Sequence, residues 1–335
     1  MSDERRPAAA SYGRRVRTVL PRTHTANRTT NPEGATLVTH RTTQVDGLSV
    51  FYREAGDPAS PKLLLLGGFP SSSHQFRNLI PALADSFHVL SLDYPGFGNT
   101  DMPDDFEYTF DRLSEIVEGV LELTGFHPFG LYHQDYGGPI GNRIVARHPD
   151  WLEWQVIQNS NAYEEGFTAA WDGIRNALWV DRSPETEAPL LPFLELEGVK
   201  LVYTHGHRNP AQISPDNWNM DLHFLERPGA RKVQLDLLYD YRTNVALYPQ
   251  WQAFLRERRP KTLIVWGEND LFFTPEGGRA YLRDLPEAEL HMLDSGHFAV
   301  EDALDEIVVH IKRFYDEKVT CGSGVRAVET VGSTR

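Results

Sequence analysis

Cysteine is almost absent from this chain of 335 residues, which contains only Cys321. One thiol can form neither an intramolecular disulfide nor a cysteine-built zinc site. Long apolar runs are also missing: no stretch approaches the roughly 18 residues that a membrane-spanning helix needs. We therefore expect no disulfide framework, no cysteine-bound metal and no membrane span.

Positive charge is scarce, since 33 lysines and arginines stand against 47 aspartates and glutamates, for a formal net charge of -14. Such a surface repels nucleic acid and anionic lipid. A hydrophobic content of 40% still allows a substantial core. These proportions favour a globular protein whose partner is a small, neutral or weakly polar organic molecule.

The two ends of the chain differ from the rest in composition. The first 41 residues are rich in arginine and lack the apolar segment of a secretion signal, and residues 318–335 are polar. We expect a disordered leader over residues 1–41, a disordered tail over 318–335 and a cytoplasmic location. An organellar transit peptide is the alternative, which the acidic start "MSDE" disfavours.

Between these ends, short apolar runs alternate with amphipathic segments. "KLLLLGG" and "HVLSLDYPGFG" are typical of strands buried on both faces, and "FDRLSEIVEGVLELTG" has helical spacing. The pattern predicts an α/β fold with a mostly parallel central sheet and helices on both faces, over residues 42–161 and 248–317. Residues 162–247 are rich in aromatics, prolines and short helical pieces, and we expect a mainly helical cap there.

Reactive side chains in such sheets lie on loops beyond the carboxyl ends of the strands. Three of these loops carry Asp135 in "HQDYGG", Asp270 in "GENDLFF" and His297 in "DSGHF". An aspartate before a helix is also a common N-cap, and Glu268 and Asp294 compete with Asp270. The order of acid, second acid and histidine nevertheless matches that of a hydrolytic triad.

These motifs, with "GGFP" at Gly67 to Pro70 and "DYPGFGNTD" from Asp93, resemble the α/β-hydrolase fold family, in particular its epoxide hydrolase and haloalkane dehalogenase branch. The resemblance implies that Asp135 attacks carbon and forms an alkyl-enzyme ester, which a water activated by His297 then hydrolyses.

The same resemblance assigns the supporting roles. Asp270 would orient the imidazole, and the backbone N–H groups of Phe69 and Tyr136 would form the oxyanion hole. No metal or organic cofactor is implied. Two departures from the family pattern stand out: Gly67 replaces a histidine of the usual His-Gly pair, and His133 replaces a small residue.

The leaving group separates the two branches. Dehalogenases hold the halide with side-chain N–H donors, whereas this chain has Tyr136 and Phe69 at the corresponding positions, so that only Trp171 or Trp179 of the cap remains as a donor. A halide site therefore looks incomplete, although "QDYGG" resembles the dehalogenase form "QDWGG".

Epoxide opening needs an acid for the ring oxygen, and "DYRTN" resembles the segment in which epoxide hydrolases carry a cap tyrosine. We name Tyr241 as this proton donor, with Tyr203 or Tyr163 as its partner and Trp171 on the pocket wall. We favour an epoxide hydrolase over a dehalogenase. An esterase-like hydrolase and a non-catalytic binding protein remain open.

One further pattern is "HGH" at His205 to His207, which has the spacing of metal ligands. No carboxylate ligand is near it in sequence, so we interpret it as a solvated turn.

Overall fold

The computed structural model describes residues 37–320, so most of the expected leader and tail lies outside the described residues. The strands are β1 Thr39–Val45, β2 Leu48–Ala55, β3 Lys62–Leu66, β4 His88–Leu92, β5 Phe129–Gln134, β6 Leu152–Gln158, β7 Lys261–Gly267 and β8 Glu289–Leu293. The α-helices are α1 Leu79–Leu83, α2 Phe110–Thr124, α3 Gly137–Arg147, α4 Pro184–Glu187, α5 Leu196–Thr204, α6 Asp216–Leu225, α7 Ala230–Arg258, α8 Pro275–Asp284 and α9 Leu304–Phe314.

The strands form one eight-stranded sheet in the order β1-β2-β4-β3-β5-β6-β7-β8. The pairs from β4 through β3 to β8 are parallel, while β1 and β2 are antiparallel additions at one edge. Every residue of β4 and of β5 is buried, because helices cover both faces of the sheet. The predicted α/β architecture is confirmed.

The start of the sheet differs from the expectation. Strand β1 begins at Thr39, inside the segment that the sequence assigned to a leader ending at residue 41. Its sequence, "THRTTQV", is largely polar and exposed because it forms the edge of the sheet. An edge strand needs no apolar alternation, and for this reason the hydrophobic pattern did not reveal it.

The segment between β6 and β7 contains α4 to α7 and several shorter helical turns. Helix α7 is 29 residues long and crosses the expected cap boundary between residues 247 and 248. Its first half presents Tyr241, and its second half packs Trp251 and Leu255 into the core. A buried arginine of α3, Arg143, joins α2 and α7, since it donates to Asp111 and to Asn244.

Among the described residues, no helix combines the length and the apolar character that crossing a bilayer requires. At the other end of the chain, a short π-helical turn runs from Tyr315 to Thr320, past the expected end of the core at residue 317.

Candidate active site

Asp135 lies on the tight turn that connects β5 to α3. Its backbone has a φ of 49°, the left-handed region that non-glycine residues rarely adopt, and its side chain is buried. The turn leaves no space beside it, since a Cβ atom at Gly137 would lie 2.0 Å from the carbonyl oxygen of Leu66. The helix N-cap is Tyr136, without a side-chain capping bond. Asp135 is therefore not an N-cap, and the capping interpretation is wrong.

The structure brings Asp135, Asp270 and His297 together. Nδ1 of His297 lies 2.9 Å from Oδ2 of Asp270, and Nε2 lies 3.8 Å from Oδ2 of Asp135. Burial alone lowers the pKa of His297, but the two carboxylates outweigh it and raise the pKa to about 10. The competing acids are elsewhere: Glu268 and Asp294 are exposed.

Asn159 fixes the position of Asp270, and sequence reasoning missed it. Its amide nitrogen donates to Oδ2 of Asp270 (2.8 Å), and its amide oxygen accepts from the backbone N–H of Gly267 (2.8 Å). Asn159 directly follows β6 and has a φ of 41°. The signal was present in the sequence, because the polar run "QNSN" ends a buried strand at the same edge as the other loops.

A second pair of amides reaches the other side of the imidazole. Gln75 donates to Oε1 of Gln134 (3.0 Å), and Nε2 of Gln134 lies 2.8 Å from Nε2 of His297. Gln75 also explains why residue 67 is a glycine rather than the histidine of the family pattern. A Cβ atom at Gly67 would lie 2.4 Å from Oε1 of Gln75, so Gln75 occupies the space that a side chain at residue 67 would need.

The loop after β3 contacts the carboxylate of Asp135. The backbone N–H of Phe69 donates to Oδ2 of Asp135 (2.7 Å). Gly68 makes this approach possible, because a Cβ atom there would lie 2.5 Å from Oδ2 of Asp135 and 2.6 Å from the backbone nitrogen of Tyr136. Of the two backbone N–H groups named in the sequence, that of Phe69 thus contacts the carboxylate.

A cavity opens next to this carboxylate. Its wall is mostly aromatic and aliphatic and carries no cationic side chain. The lining residues are Phe69, Asp135, Tyr136, Ala170, Trp171, Ile174, Leu190, Phe193, Leu238 and Phe272. Trp171 is one of these wall residues. A wall of this composition favours an apolar, uncharged ligand.

The candidate tyrosines fall into two groups. Tyr136 and Tyr241 are buried, with ring centroids 6.1 Å apart. Within the described chain the hydroxyl of Tyr136 has no hydrogen-bond partner, and that of Tyr241 faces the hydroxyl of Tyr248 without a hydrogen bond of ordinary geometry. Burial raises the pKa of each well above its usual value, and the charge of Asp135 adds to the effect in both. Tyr136 lines the cavity, whereas Tyr241 is not part of its wall.

Tyr203 and Tyr163 are both committed to carboxylates. The hydroxyl of Tyr203 donates to Asp221 (2.7 Å), and that of Tyr163 donates to Asp284 (2.7 Å). Neither lines the cavity. The choice of Tyr203 as a substrate-binding residue is wrong for a physical reason: a buried phenol pairs with the nearest buried carboxylate, and sequence spacing does not reveal which one that is.

The cap tryptophans do not complete a halide site. The indole N–H of Trp171 donates to the carbonyl of Phe272 (3.1 Å), and that of Trp179 donates to the carbonyl of Leu238 (2.8 Å). Both donors are used by the backbone, so the expectation that either one replaces a missing halide donor is wrong.

The remaining histidines have structural surroundings. His133 is buried near the turn that carries Asp135. Its Nδ1 lies 3.0 Å from the hydroxyl of Ser160, and burial lowers its pKa to about 3. In the "HGH" turn, His205 is exposed, but His207 is buried beside Asp302 with Nδ1 and Oδ1 3.1 Å apart. The solvated turn was thus correct for only one of the two residues.

The chain belongs to the α/β hydrolase fold family, whose model matches residues 61–304. An uncharacterized hydrolase of Saccharomyces cerevisiae is 36% identical over 282 residues, which cover 83% of this chain and 97% of that protein. A cis-3-alkyl-4-alkyloxetan-2-one decarboxylase of Shewanella oneidensis is 28% identical over 288 residues, which cover 80% and 86%.

Relatives from the expected branch are also found. Epoxide hydrolase 3 of Xenopus tropicalis is 24% identical over 285 residues, which cover 81% of this chain and 76% of that protein. The crystal structure of a haloalkane dehalogenase loop variant from Bradyrhizobium elkanii superposes with a TM-score of 0.70 at 20% identity, over 85% of this chain and 98% of that one. The predicted family and its hydrolase class are confirmed.

Proposed function

We propose that this hydrolase opens an epoxide to a diol through an ester intermediate on Asp135. The observation that carries the proposal is the pair of buried phenols, Tyr136 and Tyr241, beside the carboxylate. Within the described chain the hydroxyl of Tyr136 has no hydrogen-bond partner, and that of Tyr241 faces only another phenol, Tyr248. An unpartnered buried hydroxyl is costly and needs a functional reason. Here the reason is a substrate oxygen that must receive a proton.

In the first step, one oxygen of Asp135 attacks an epoxide carbon, and the carbon–oxygen bond of the ring breaks. The ring oxygen takes a proton from a phenol, and an ester and a phenolate result. Because the N–H of Phe69 donates to Oδ2, this oxygen remains as the ester carbonyl, and the other oxygen of the carboxylate is the nucleophile. A raised pKa keeps each phenol protonated until an alkoxide forms.

In the second step, His297 takes a proton from water, and the hydroxide attacks the ester carbonyl carbon. The oxyanion forms on Oδ2, to which the backbone N–H of Phe69 already donates, and the backbone N–H of Tyr136 is the proposed second donor. Such donors are each worth about 3 to 4 kcal/mol. Collapse releases the diol and regenerates the carboxylate of Asp135. The imidazolium then returns its proton to the phenolate, so that the cycle balances.

Ester formation also prepares the base. In the free enzyme the charge of Asp135 contributes to the raised pKa of His297. Esterification removes this charge, while the burial that lowers the pKa stays. The imidazole therefore becomes an available base only after the ester has formed, the order that the reaction requires.

The choice of an epoxide over a haloalkane follows from what each leaving group needs. A halide departs as an anion and needs only N–H donors, which Trp171 and Trp179 do not offer. An epoxide oxygen needs a transferable proton, which a phenol supplies and an indole does not. The apolar wall around the carboxylate favours a neutral, largely hydrocarbon epoxide.

The test is a single turnover of excess enzyme in heavy-oxygen water with aliphatic and aryl epoxides, terminal haloalkanes and a β-lactone. We expect diol from the epoxides, heavy oxygen in the peptide that contains Asp135, and an alkyl ester of that peptide trapped in His297→Gln. An Asp135→Ala variant that forms diol at the native rate would refute the nucleophile. Halide release faster than diol formation would move the function to the dehalogenase branch, and turnover of only the lactone would replace the epoxide.

A further inference from the structure

A cluster of two imidazoles and a carboxylate lies away from the candidate active site. Glu289 and His291 are two residues apart on β8, so their side chains are on the same face of the strand. His310 comes from α9, and its ring stacks on that of His291 with centroids 3.7 Å apart and planes at 23°. We call Glu289, His291 and His310 the β8–α9 cluster.

The ligand atoms of this cluster converge. One oxygen of Glu289 and one ring nitrogen from each histidine lie within 4.8 Å of one another. Two ligands bound to one zinc ion at about 2.1 Å each are at most about 4.2 Å apart. Small rotations of these half-buried side chains therefore bring all three atoms to bonding distance.

One ring nitrogen of the cluster is available to bind an ion. A histidine binds a metal through the lone pair of its neutral form. Nδ1 of His310 is buried and has no hydrogen-bond partner within the described chain.

We propose that the β8–α9 cluster is a binding site for a divalent transition-metal ion of the Zn²⁺ type, held by two imidazoles and one carboxylate. Three protein ligands of this composition leave a fourth position for water. Nitrogen-rich sites of this kind select Zn²⁺ and its neighbours over Mg²⁺ or Ca²⁺. The ion would fasten α9 to β8 at the free edge of the sheet.

The site is independent of the hydrolytic chemistry. Glu289 begins β8, whereas His297 follows the carboxyl end of the same strand. The cluster has a competitor of its own, because Arg313 pairs with both oxygens of Glu289. The guanidinium must give up part of this contact when an ion enters. Removing Arg313 should consequently strengthen metal binding, an effect that no purely structural role of the histidines predicts.

The experiment is calorimetric titration of the untagged, chelator-treated full chain with ZnCl₂. We expect one ion per chain for the native protein and at least about a tenfold loss of affinity in His291→Gln and His310→Gln. Arg313→Gln should bind up to about fivefold more tightly, since the guanidinium no longer competes for Glu289. The control variant is His148→Gln. His148 also contacts a glutamate, Glu118, but among the described residues it forms no ring contact with a second imidazole. We expect this variant to bind Zn²⁺ as the native chain does.

A second measurement guards against misfolded variants. Zn²⁺ should raise the unfolding temperature of the native chain, Arg313→Gln and His148→Gln, and leave that of His310→Gln unchanged, because only a bound ion stabilises the fold. Absence of Zn²⁺ binding to the native chain, or equal binding by His310→Gln, would overturn the proposal and leave the cluster as an ion-pair network. Neither result bears on the epoxide reaction.

Discussion

Gln134 and His297 are in direct contact: the amide nitrogen of Gln134 lies 2.8 Å from Nε2 of His297. The amide is oriented as a donor because its oxygen already accepts from Gln75. A donor at Nε2 stabilises the neutral imidazole, with its proton on Nδ1 towards Asp270. Gln134 therefore favours the neutral form of the ring, and a water that transfers its proton to Nε2 must displace this hydrogen bond.

We predict that Gln134→Met slows hydrolysis of the ester without preventing its formation. Loss of one hydrogen bond, worth about 1 kcal/mol, should lower the rate of ester hydrolysis near neutral pH about fivefold. It should also shift the pH dependence of that rate upward, because the neutral imidazole loses its stabilising donor. Single-turnover kinetics across a pH series measures both effects.

Gln158→Met is the matched control for this prediction. Gln158 is equally buried, but its amide donates to the backbone carbonyl of His297 (3.0 Å) rather than to the ring. We expect this variant to keep the native midpoint of the pH profile. The same midpoint in Gln134→Met would show that the amide has no influence on the imidazole.

The two phenols should contribute to ring opening and not to ester hydrolysis. General acid catalysis typically contributes about 100-fold to 10,000-fold. We expect Tyr136→Phe and Tyr241→Phe each to reduce the rate of ester formation from an epoxide, and the double variant to lose most of that contribution. Rapid-quench measurement of the ester, followed by its rate of decay, separates the two steps.

Tyr163→Phe and Tyr203→Phe serve as controls because their hydroxyls are bound to Asp284 and Asp221. We expect native rates of ester formation from both. A double variant of Tyr136 and Tyr241 that forms the ester at the native rate would contradict the proton-donor role and would reopen the choice of leaving group.

Gly68 should tolerate no side chain. In Gly68→Ala, the new Cβ atom would lie 2.5 Å from Oδ2 of Asp135, so either the loop or the carboxylate must move. A displacement of about 1 Å at a reacting group can cost about 100-fold in rate, and we expect a loss of that order in kcat/KM. Gly173→Ala is the control, because a Cβ atom there meets nothing within 4 Å. Equal activity of the two variants would contradict the tight approach.

Asp221 provides a prediction about pH and stability. Burial raises its pKa to about 7, against about 4 in an unfolded chain. The folded state thus holds the proton more tightly, and Asp221 lowers the free energy of unfolding progressively as the pH rises from about 4 to about 7. Asp221→Asn, which stays neutral, should gain stability relative to the native chain over this interval and keep a constant difference above it.

Urea unfolding of the two proteins measures this difference. The series runs from about pH 4 to about pH 8, which covers both the protonated and the ionised form of Asp221. Tyr203 donates to Asp221, so the measurement also tests whether this phenol serves the fold. A stability difference that does not change with pH would show that folding does not raise the pKa of Asp221.

The sequence was sufficient for the fold and for the three central residues. Apolar runs buried on both faces predicted a parallel sheet, and the edge at which such strands end brings Asp135, Asp270 and His297 together whatever the detailed packing. The edge strand β1 escaped because an exposed strand carries no hydrophobic alternation.

Only the tertiary structure decided how each polar side chain is used. The phenols of Tyr136 and Tyr241, which contact no carboxylate through a hydrogen bond within the described chain, look the same in the sequence as Tyr203, which donates to one. The sequence allows Trp171 as a halide donor, but in the structure its indole N–H donates to a backbone carbonyl. Local periodicity predicts strands and helices along the chain. Hydrogen-bond partners such as Gln134 and His297 lie far apart in the sequence, and only packing brings them together.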